Sequence, residues 1–170
     1  MATRAAVTQG ELLADGAYRE AMQRAGHLLA SRPRSEHEIR IRLSDAGFDD
    51  AVVERTVERL LQLKLIDDRD FARQWVEERA RLKGRSPEAL IVELEGKGIP
   101  RTIAEEAIGE VGIDEEAQAR QIAGRLVDRV AHKPLGEQGV ALMQMLLRRG
   151  FSEEAAEAGA RSVLPPEGWD

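Results

Sequence analysis

SEHEIRIRLSDAGFDDAVVERTV (residues 35–57) and SPEALIVELEGKGIPRTIAEEAI (residues 86–108) are two versions of one pattern, offset by 51 positions. Each version begins with serine and then reaches a leucine that is followed four residues later by glycine. An apolar residue comes directly after each glycine, Gly47 in the first version and Gly98 in the second. Self-similarity at a fixed period is typical of helical repeat proteins.

A third, weaker version of the pattern follows after a further shift of 52 positions. It contains Leu146, Gly150 and Phe151 in the expected places, but Gln138 stands where the serine would be. Because leucine, glycine and apolar residue keep their register, we interpret the chain as three copies of one unit.

Helix-capping residues mark the start of most predicted helices. Ser35 with Glu38 has the spacing of a capping box, Asp67 with Asp70 imitates it, and Ser86 precedes a proline at the first helical position. No alternating apolar run or hairpin turn indicates a strand. The signals predict nine helices, near residues 18–30, 36–46, 50–63, 68–83, 87–97, 101–111, 115–131, 137–149 and 153–163.

The predicted fold is all-α, with three tandem three-helix repeats that form an elongated, curved rod. A unit of about fifty residues buries too little apolar surface to be stable alone, so neighbouring units should pack together. We expect a mobile N-terminal segment and a C-terminal tail on either side of the repeats. The predicted boundaries are 1–17 for the N-terminal segment, 18–66 for module 1, 67–113 for module 2, 114–164 for module 3 and 165–170 for the tail.

The composition of the chain argues against disulfide-bonded, membrane-spanning and secreted proteins. The 170 residues include no cysteine, which excludes disulfides and thiol chemistry. No apolar run approaches the roughly 20 residues of a membrane span, and the first residues lack the apolar segment of a signal peptide. We therefore expect a cytoplasmic protein without membrane contact.

The net charge of −6 argues against general affinity for nucleic acid, because DNA binding depends largely on neutralising phosphates. The charge is uneven, however. Residues 21–48 carry +2 and residues 71–100 carry +1, whereas residues 49–70 and 101–130 each carry −3. A local basic face is compatible with this distribution.

Nothing in the sequence indicates catalysis, a cofactor or a metal. The histidines His27 and His37 lie in module 1 and His132 lies in module 3, without the spacing of metal ligands. The acidic run at residues 67–70 lacks the pattern of a calcium-binding loop, and helix capping explains it. No glycine-rich phosphate loop is present. We predict that the protein is not an enzyme.

Two groups of basic residues are candidates for partner contact, although solvated helix faces often carry such runs. The register places Arg34 and Arg85 in equivalent positions directly before the capping serines. This equivalence makes a partner-facing stripe on successive modules plausible. The candidates are Arg34, Arg40, Arg42, Arg73, Arg79, Arg81, Lys83 and Arg85.

Phe71 and Trp75 lie one helical turn apart on the helix that carries several of these cations. We interpret the pair as the apolar stripe of an amphipathic helix. Exposed stacking on nucleic-acid bases is the functional alternative.

The central segment resembles the RecX family. The similarity lies in the run LIDDRDFA at residues 65–72, the basic stretch RARLKG at 79–84, Pro87, and LIVELEGKGI at 90–99. The spacing of Ser35, Glu38, Leu43 and Gly47 is also similar to the first repeat of the family. The resemblance covers roughly residues 20–163. The chain departs from the family at Arg85-Ser86, where Tyr-Gly is common, and at Lys64, where glycine is frequent.

The resemblance implies a partner that composition does not reveal. RecX proteins bind the RecA recombinase and insert along the groove of its filament on single-stranded DNA. They lower its ATP hydrolysis, strand exchange and co-protease activity, and so modulate DNA repair and the SOS response. We expect a monomer that contacts RecA and its filament and touches DNA weakly or indirectly.

Two other interpretations remain open. A direct nucleic-acid-binding protein could be built from similar three-helix units, but the third helices of modules 1 and 2 are acidic rather than basic. An unrelated structural adaptor could use the same repeat.

Overall fold

The computed structural model describes the backbone of residues 9–169 and the side chains of residues 15–80 and 84–168. The all-α class is confirmed, since this part of the chain contains helices and turns but no strand. Nine α-helices are described, together with short 3₁₀ turns at Val127–Arg129 and Pro166–Trp169. The helices are α1 (Gln9–Ser31), α2 (Glu36–Ser44), α3 (Asp50–Gln62), α4 (Asp68–Lys83), α5 (Pro87–Glu95), α6 (Arg101–Val111), α7 (Glu115–Leu126), α8 (Leu135–Leu147) and α9 (Glu153–Arg161).

The first helix begins well before its predicted start near residue 18. It starts at Gln9, within the segment that we expected to be mobile. Glu11, Leu12 and Leu13 are strong helix formers, which favours this extension. Residues 1–8 of the predicted segment lie outside the described residues.

One turn closes the second helix of every module. Gly47 has a φ of 88°, in the left-handed region that glycine adopts without steric cost. The N–H of Phe48 donates to the carbonyl of Leu43 at 3.3 Å, as in a Schellman motif. The equivalent turns are at Gly98 (φ 77°, Ile99 N–H to Leu94 carbonyl, 3.0 Å) and Gly150 (φ 83°, Phe151 N–H to Leu146 carbonyl, 3.3 Å).

The predicted serine caps are confirmed in modules 1 and 2. Ser35 Oγ accepts from the N–H of Glu38 at 3.2 Å, and Ser86 Oγ accepts from the N–H of Ala89 at 3.2 Å. Module 3 differs, because α8 starts one helical turn earlier, after Pro134. Gln138 therefore lies inside the helix, where its Nε2 donates to the carbonyl of Lys133 at 2.9 Å.

The chain divides into two compact units between Phe71 and Ala72, within α4. In the first unit, α1, α2 and α3 surround a core of aliphatic side chains. Leu43 lies in this core and has no exposed surface. The core residues are Ala21, Ala25, Ile39, Leu43, Val52, Val53, Val57, Leu60 and Ile66.

The second unit contains the rest of module 2 and all of module 3. Its described core lies between α7, α8 and α9. Gly159 permits a close approach of α9 to α7, since a Cβ atom there would lie 2.9 Å from the backbone carbon and oxygen of Ala119. The small residues Ala119, Ala123, Ala155 and Ala156 are all buried in this core.

A buried hydrogen bond joins module 2 to module 3 within the second unit. Ser86 Oγ, besides capping α5, donates to the carbonyl of Arg149 at 2.9 Å. A Cβ atom at Gly150 would lie 2.9 Å from the same hydroxyl. Glycine at 150 therefore serves both the left-handed turn and the junction between the modules.

The predicted tail at residues 165–170 is partly ordered as the Pro166–Trp169 turn. Gly168 in this turn is buried close to the side chain of Leu164 and the carbonyl of Leu135.

None of the helices within residues 9–169 is both long enough and apolar enough to span a membrane. The elongated, curved arrangement of the three modules stays a prediction.

Candidate partner interface

Trp75 is the centre of a charged cluster in module 2. The guanidinium carbon of Arg79 lies 4.0 Å from the centroid of its ring, and Lys97 Nζ lies 4.4 Å from the same centroid. These distances are those of cation–π interactions. The indole Nε1 donates to Glu93 Oε2 at 3.1 Å. The ring therefore binds two cations while its edge is held by a carboxylate.

Glu93 also forms ion pairs with two arginines in this cluster. Its Oε1 lies 3.0 Å from Arg85 Nε, and its Oε2 lies 3.7 Å from a terminal nitrogen of Arg79. The side chains of Arg79 and Glu93 are 20% and 23% exposed, whereas that of Arg85 is 46% exposed. We call Trp75, Arg79, Arg85, Glu93 and Lys97 the tryptophan cluster. It combines three cations with one carboxylate.

Arg79 belongs mainly to the interior of this cluster. Its Nε is shielded from solvent and has no hydrogen-bond partner within the described residues. A buried unsatisfied N–H costs free energy, and the contact with the Trp75 ring offsets part of that cost. Arg79 therefore holds the cluster together, while Arg85 presents more of its surface to solvent.

The interpretation of Phe71 and Trp75 as one apolar stripe is only half correct. Phe71 is 5% exposed and belongs to the core. Trp75 is half-buried, and the cations of Arg79 and Lys97 lie against its ring. Sequence reasoning missed the roles of Glu93 and Lys97. The available signal was the spacing of Trp75 and Arg79, which places them one helical turn apart.

The basic residues of module 1 are held by separate interactions. Arg40 pairs with Glu36 at 2.8 Å and also with Glu54. Arg34 Nε donates to the carbonyl of Leu28 at 3.3 Å. Partial burial, together with repulsion from Arg32, lowers the pKa of Arg34 from its ordinary value, although arginine stays charged.

The other candidates differ in exposure. Arg42 is exposed and has no ion pair within the described residues, whereas exposed Arg73 pairs with Glu77 at 3.4 Å. The side chains of Arg81 and Lys83 lie outside the described residues. Arg34 and Arg85 keep the predicted equivalent positions before the caps, yet they contact different groups. Among the candidates whose side chains are described, Arg79 and Arg85 both pair with Glu93, and Arg34 and Arg42 lie near enough to repel each other.

The acidic run at residues 67–70, at the start of module 2, acts in helix capping. Asp67 Oδ1 accepts from the N–H groups of Arg69 at 2.9 Å and Asp70 at 3.2 Å. Asp68 Oδ1 accepts from the N–H of Glu36 at 2.8 Å. Burial raises the pKa of the Asp68 carboxyl, against the opposing effect of this hydrogen bond. Across the described residues, no group of three or more potential ligands could hold a metal ion.

Comparison with known proteins places these modules in a family. The model of the first three-helix domain of RecX matches residues 21–60, and that of the second matches residues 67–108. A regulatory protein RecX of Mycobacterium sp. (strain KMS) is 34% identical over 137 residues, which cover 76% of this chain and 73% of that protein. The chain belongs to the RecX family.

A second RecX relative extends the match over most of the chain. The regulatory protein RecX of Amycolatopsis mediterranei (strain U-32) is 32% identical over 164 residues, which cover 91% of this chain and 94% of that protein. The relatives are named as regulatory proteins, and neither family model describes a catalytic domain.

Two solved RecX structures show the same fold. The crystal structure of RecX from Lactobacillus salivarius has a TM-score of 0.81 at 21% identity and covers 88% of this chain and 97% of that one. A crystal structure of another regulatory protein RecX also has a TM-score of 0.81 at 21% identity. It covers 94% of this chain and 80% of the other.

The departures from the RecX pattern have structural consequences. Arg85, where the resemblance led us to expect tyrosine, pairs with Glu93, and Ser86, where we expected glycine, caps α5. Lys64, where we also expected glycine, has a φ of 53°. A left-handed lysine is strained relative to glycine. This RecX-family chain therefore keeps the glycine-like backbone at position 64 without the glycine.

Proposed function

We propose that this protein binds RecA and its filament on single-stranded DNA, and inhibits ATP hydrolysis, strand exchange and co-protease activity. It would thereby modulate DNA repair and the SOS response. Membership of the RecX family, with both three-helix domain models matched, is the observation that carries this proposal. The protein would act as a monomer in the cytoplasm, without a cofactor and without enzymatic activity.

The proposed mechanism is a bridge between successive RecA protomers across the filament groove. A repeat protein offers extended surface instead of a deep cleft, which suits contact with a polymer. Such a bridge would block incoming duplex DNA and restrain the motion of protomers that accompanies ATP hydrolysis. The net charge of −6 favours protein contact over contact with bare phosphates.

RecA-catalysed ATP hydrolysis on single-stranded DNA tests the proposed function. Increasing amounts of the purified full chain should lower the hydrolysis rate, and the chain should sediment with the filament. Unchanged hydrolysis together with failure to sediment would refute the proposal.

The eight basic residues proposed as partner contacts can be tested more sharply with the structure in view. Arg42 and Arg85 are exposed enough to contact a partner, whereas the side chain of Arg79 is only 20% exposed. Reversal of Arg85 also removes its ion pair with Glu93, so the stability of the variant is measured as well. The variant Arg42→Glu with Arg85→Glu should lose inhibition by about tenfold or more in the concentration required. Thermal melts check that this double variant and its control remain folded.

The matched control reverses two exposed arginines outside the proposed contacts. Arg59→Glu with Arg125→Glu makes the same change in net charge, and both residues are exposed. Arg55 is a poorer control because it lies 4.1 Å from the ring centroid of Tyr18 and pairs with Asp15 at 2.9 Å. Equal loss in both double variants would indicate a general charge effect and would contradict a located contact.

Direct nucleic-acid binding is a second candidate function, favoured by the excess of cations around Trp75. A ring with adjacent cations is a combination found in single-strand binding sites. We expect only weak binding to single-stranded DNA without RecA, given the net charge. Submicromolar affinity at about 0.15 M salt, with a steep salt dependence, would favour the second function.

A further inference from the structure

An open groove lies in the second unit, on the side of α4 that faces the junction of α6 and α7. Its volume is about 810 Å³. Val111 and Ile113 contribute half-buried apolar surface, and Glu77, Glu78 and Asp114 contribute carboxylates. The groove therefore combines an apolar floor with an acidic border, and it shares no residue with the tryptophan cluster.

The described lining residues of this groove carry charge of one sign. Three of them are carboxylates, and none is lysine, arginine or histidine. The side chains of Arg81 and Lys83, further along α4, lie outside the described residues. Glu78 is exposed, and Glu77 pairs with Arg73 at 3.4 Å. Asp114 uses one oxygen to cap α7, accepting from the N–H of Ala117 at 2.9 Å. A cationic side chain would be attracted here, and a phosphate would be repelled.

Gln118 adds a second, independent feature to the same groove. Its Oε1 is shielded from solvent and receives no hydrogen bond within the described residues. Buried amide oxygens are nearly always satisfied. An N–H donor supplied by a bound side chain would satisfy this oxygen, and a guanidinium carries five such donors in a planar fork.

We propose that this groove docks a segment of a partner protein in which arginine lies next to apolar side chains. The guanidinium would pair with the carboxylates of Glu77 and Glu78 and donate to Gln118 Oε1. The neighbouring apolar side chains would cover Val111 and Ile113. This surface goes beyond the proposed function, since it does not depend on which protein is bound, and charge complementarity selects a basic peptide as its occupant.

The probe for this proposal is an acetylated and amidated twelve-residue peptide that repeats Ala-Arg-Leu. The matched peptide carries glutamate in place of each arginine. Both are titrated into the isotope-labelled full chain and followed by amide chemical shifts. The arginine peptide should shift resonances within residues 74–80 and 111–121, and the glutamate peptide should not.

Two groove variants separate a specific site from general attraction. Glu77→Gln with Glu78→Gln should weaken binding of the arginine peptide by about fivefold or more. Ala117→Trp, at an exposed lining position, should weaken it by a similar factor by filling the groove. The control Glu58→Gln with Glu153→Gln removes two charges at exposed positions elsewhere and should leave affinity within about twofold.

Three results would overturn the docking proposal. They are equal binding of the two peptides, equal loss in the groove and control variants, and the absence of localised shifts at millimolar peptide. Each is independent of RecA inhibition, so failure of this proposal is distinguishable from failure of the proposed function.

Discussion

Modules 1 and 2 share a backbone pattern but present different chemistry at equivalent positions. The residues of the tryptophan cluster correspond, 51 positions earlier, to Arg24, Leu28, Arg34, Arg42 and Ala46 in module 1. Module 1 has neither the ring nor the carboxylate of the cluster at these positions. Its arginine at position 42 is exposed, whereas Glu93 in module 2 is mostly buried under two guanidinium groups.

The difference shows which features define the repeat and which can vary. The buried leucine, the left-handed glycine and the serine cap occur in both modules with the same hydrogen bonds. These interactions are made by the backbone or by the core, so they fix the fold. Side chains on the outer surface are not constrained in this way, and each module can carry its own contacts there.

Truncation of the shared leucine is the strongest test of this equivalence. Leu43→Ala and Leu94→Ala should each reduce the free energy of unfolding by about 2–5 kcal/mol, because both side chains have no exposed surface. Chemical denaturation followed by circular dichroism measures the loss. Losses under about 0.5 kcal/mol at both positions would contradict the common register.

Removal of the indole should affect the stability of the protein more than the equivalent substitution in module 1. Trp75→Ala is expected to cost about 1–3 kcal/mol, since it removes two cation–π contacts and a hydrogen bond. The equivalent Arg24→Ala, at an exposed position, should change stability by less than about 0.5 kcal/mol. Thermal melts of both variants give the comparison. Equal effects would mean that the cluster contributes nothing specific to module 2.

Neutralisation of the central carboxylate should have a smaller effect. Glu93→Gln retains the size of the side chain but removes the charge between Arg79 and Arg85, with an expected loss of about 0.5–1.5 kcal/mol. Arg42→Gln is the matched change in module 1 and should be close to neutral. Added salt should reduce the difference between the variants. A gain in stability for Glu93→Gln would contradict the role of the carboxylate.

The smallest predicted effect concerns the first N–H of α2 and α5. Asp68 accepts the N–H of Glu36, whereas the equivalent residue in module 2 is Pro87, which has no N–H. Because burial raises the pKa of Asp68, its contribution to stability falls as pH rises from about 3.8 through the raised value. Asp68→Asn should therefore gain slightly relative to the wild type above that range.

Unfolding measured between acidic and neutral pH checks this sign. The asparagine oxygen can still accept the N–H of Glu36. A variant that becomes relatively less stable as pH rises would contradict the assignment. Pro87→Ala, which restores an N–H in module 2, serves as the comparison at the equivalent position.

Local signals were sufficient to predict most of the fold. Caps and glycines act within a few residues, so Ser35, Ser86 and Gly98 mark helix ends that the structure confirms. Helix α8 starts at Leu135, directly after Pro134 and two residues before its predicted start near residue 137. The early start of α1 was missed although Thr8 and Glu11 have the spacing of a capping box directly before and within its first turn.

The candidate site was less predictable because its contacts join separate helices. Sequence reasoning selected Arg79 and Arg85 as a basic face, but Glu93 and Lys97 lie on the next helix and its following turn. No periodicity links Trp75 to Glu93 across 18 residues. The basic residues were therefore predicted as a partner-facing stripe, with a solvated helix face as the alternative, whereas Arg79 and Arg85 pair with Glu93 of their own module.

The hydrogen bond from Ser86 to Arg149 limits how such a chain can change its number of repeats. A deletion of module 3 would remove this acceptor together with residues that lie against the hydroxyl, such as Gly150, so Ser86 would donate to water instead. The cap of one module is thus completed by the end of the next. Gain or loss of a whole unit during evolution would therefore change the surroundings of position 86 as well as the end of the chain.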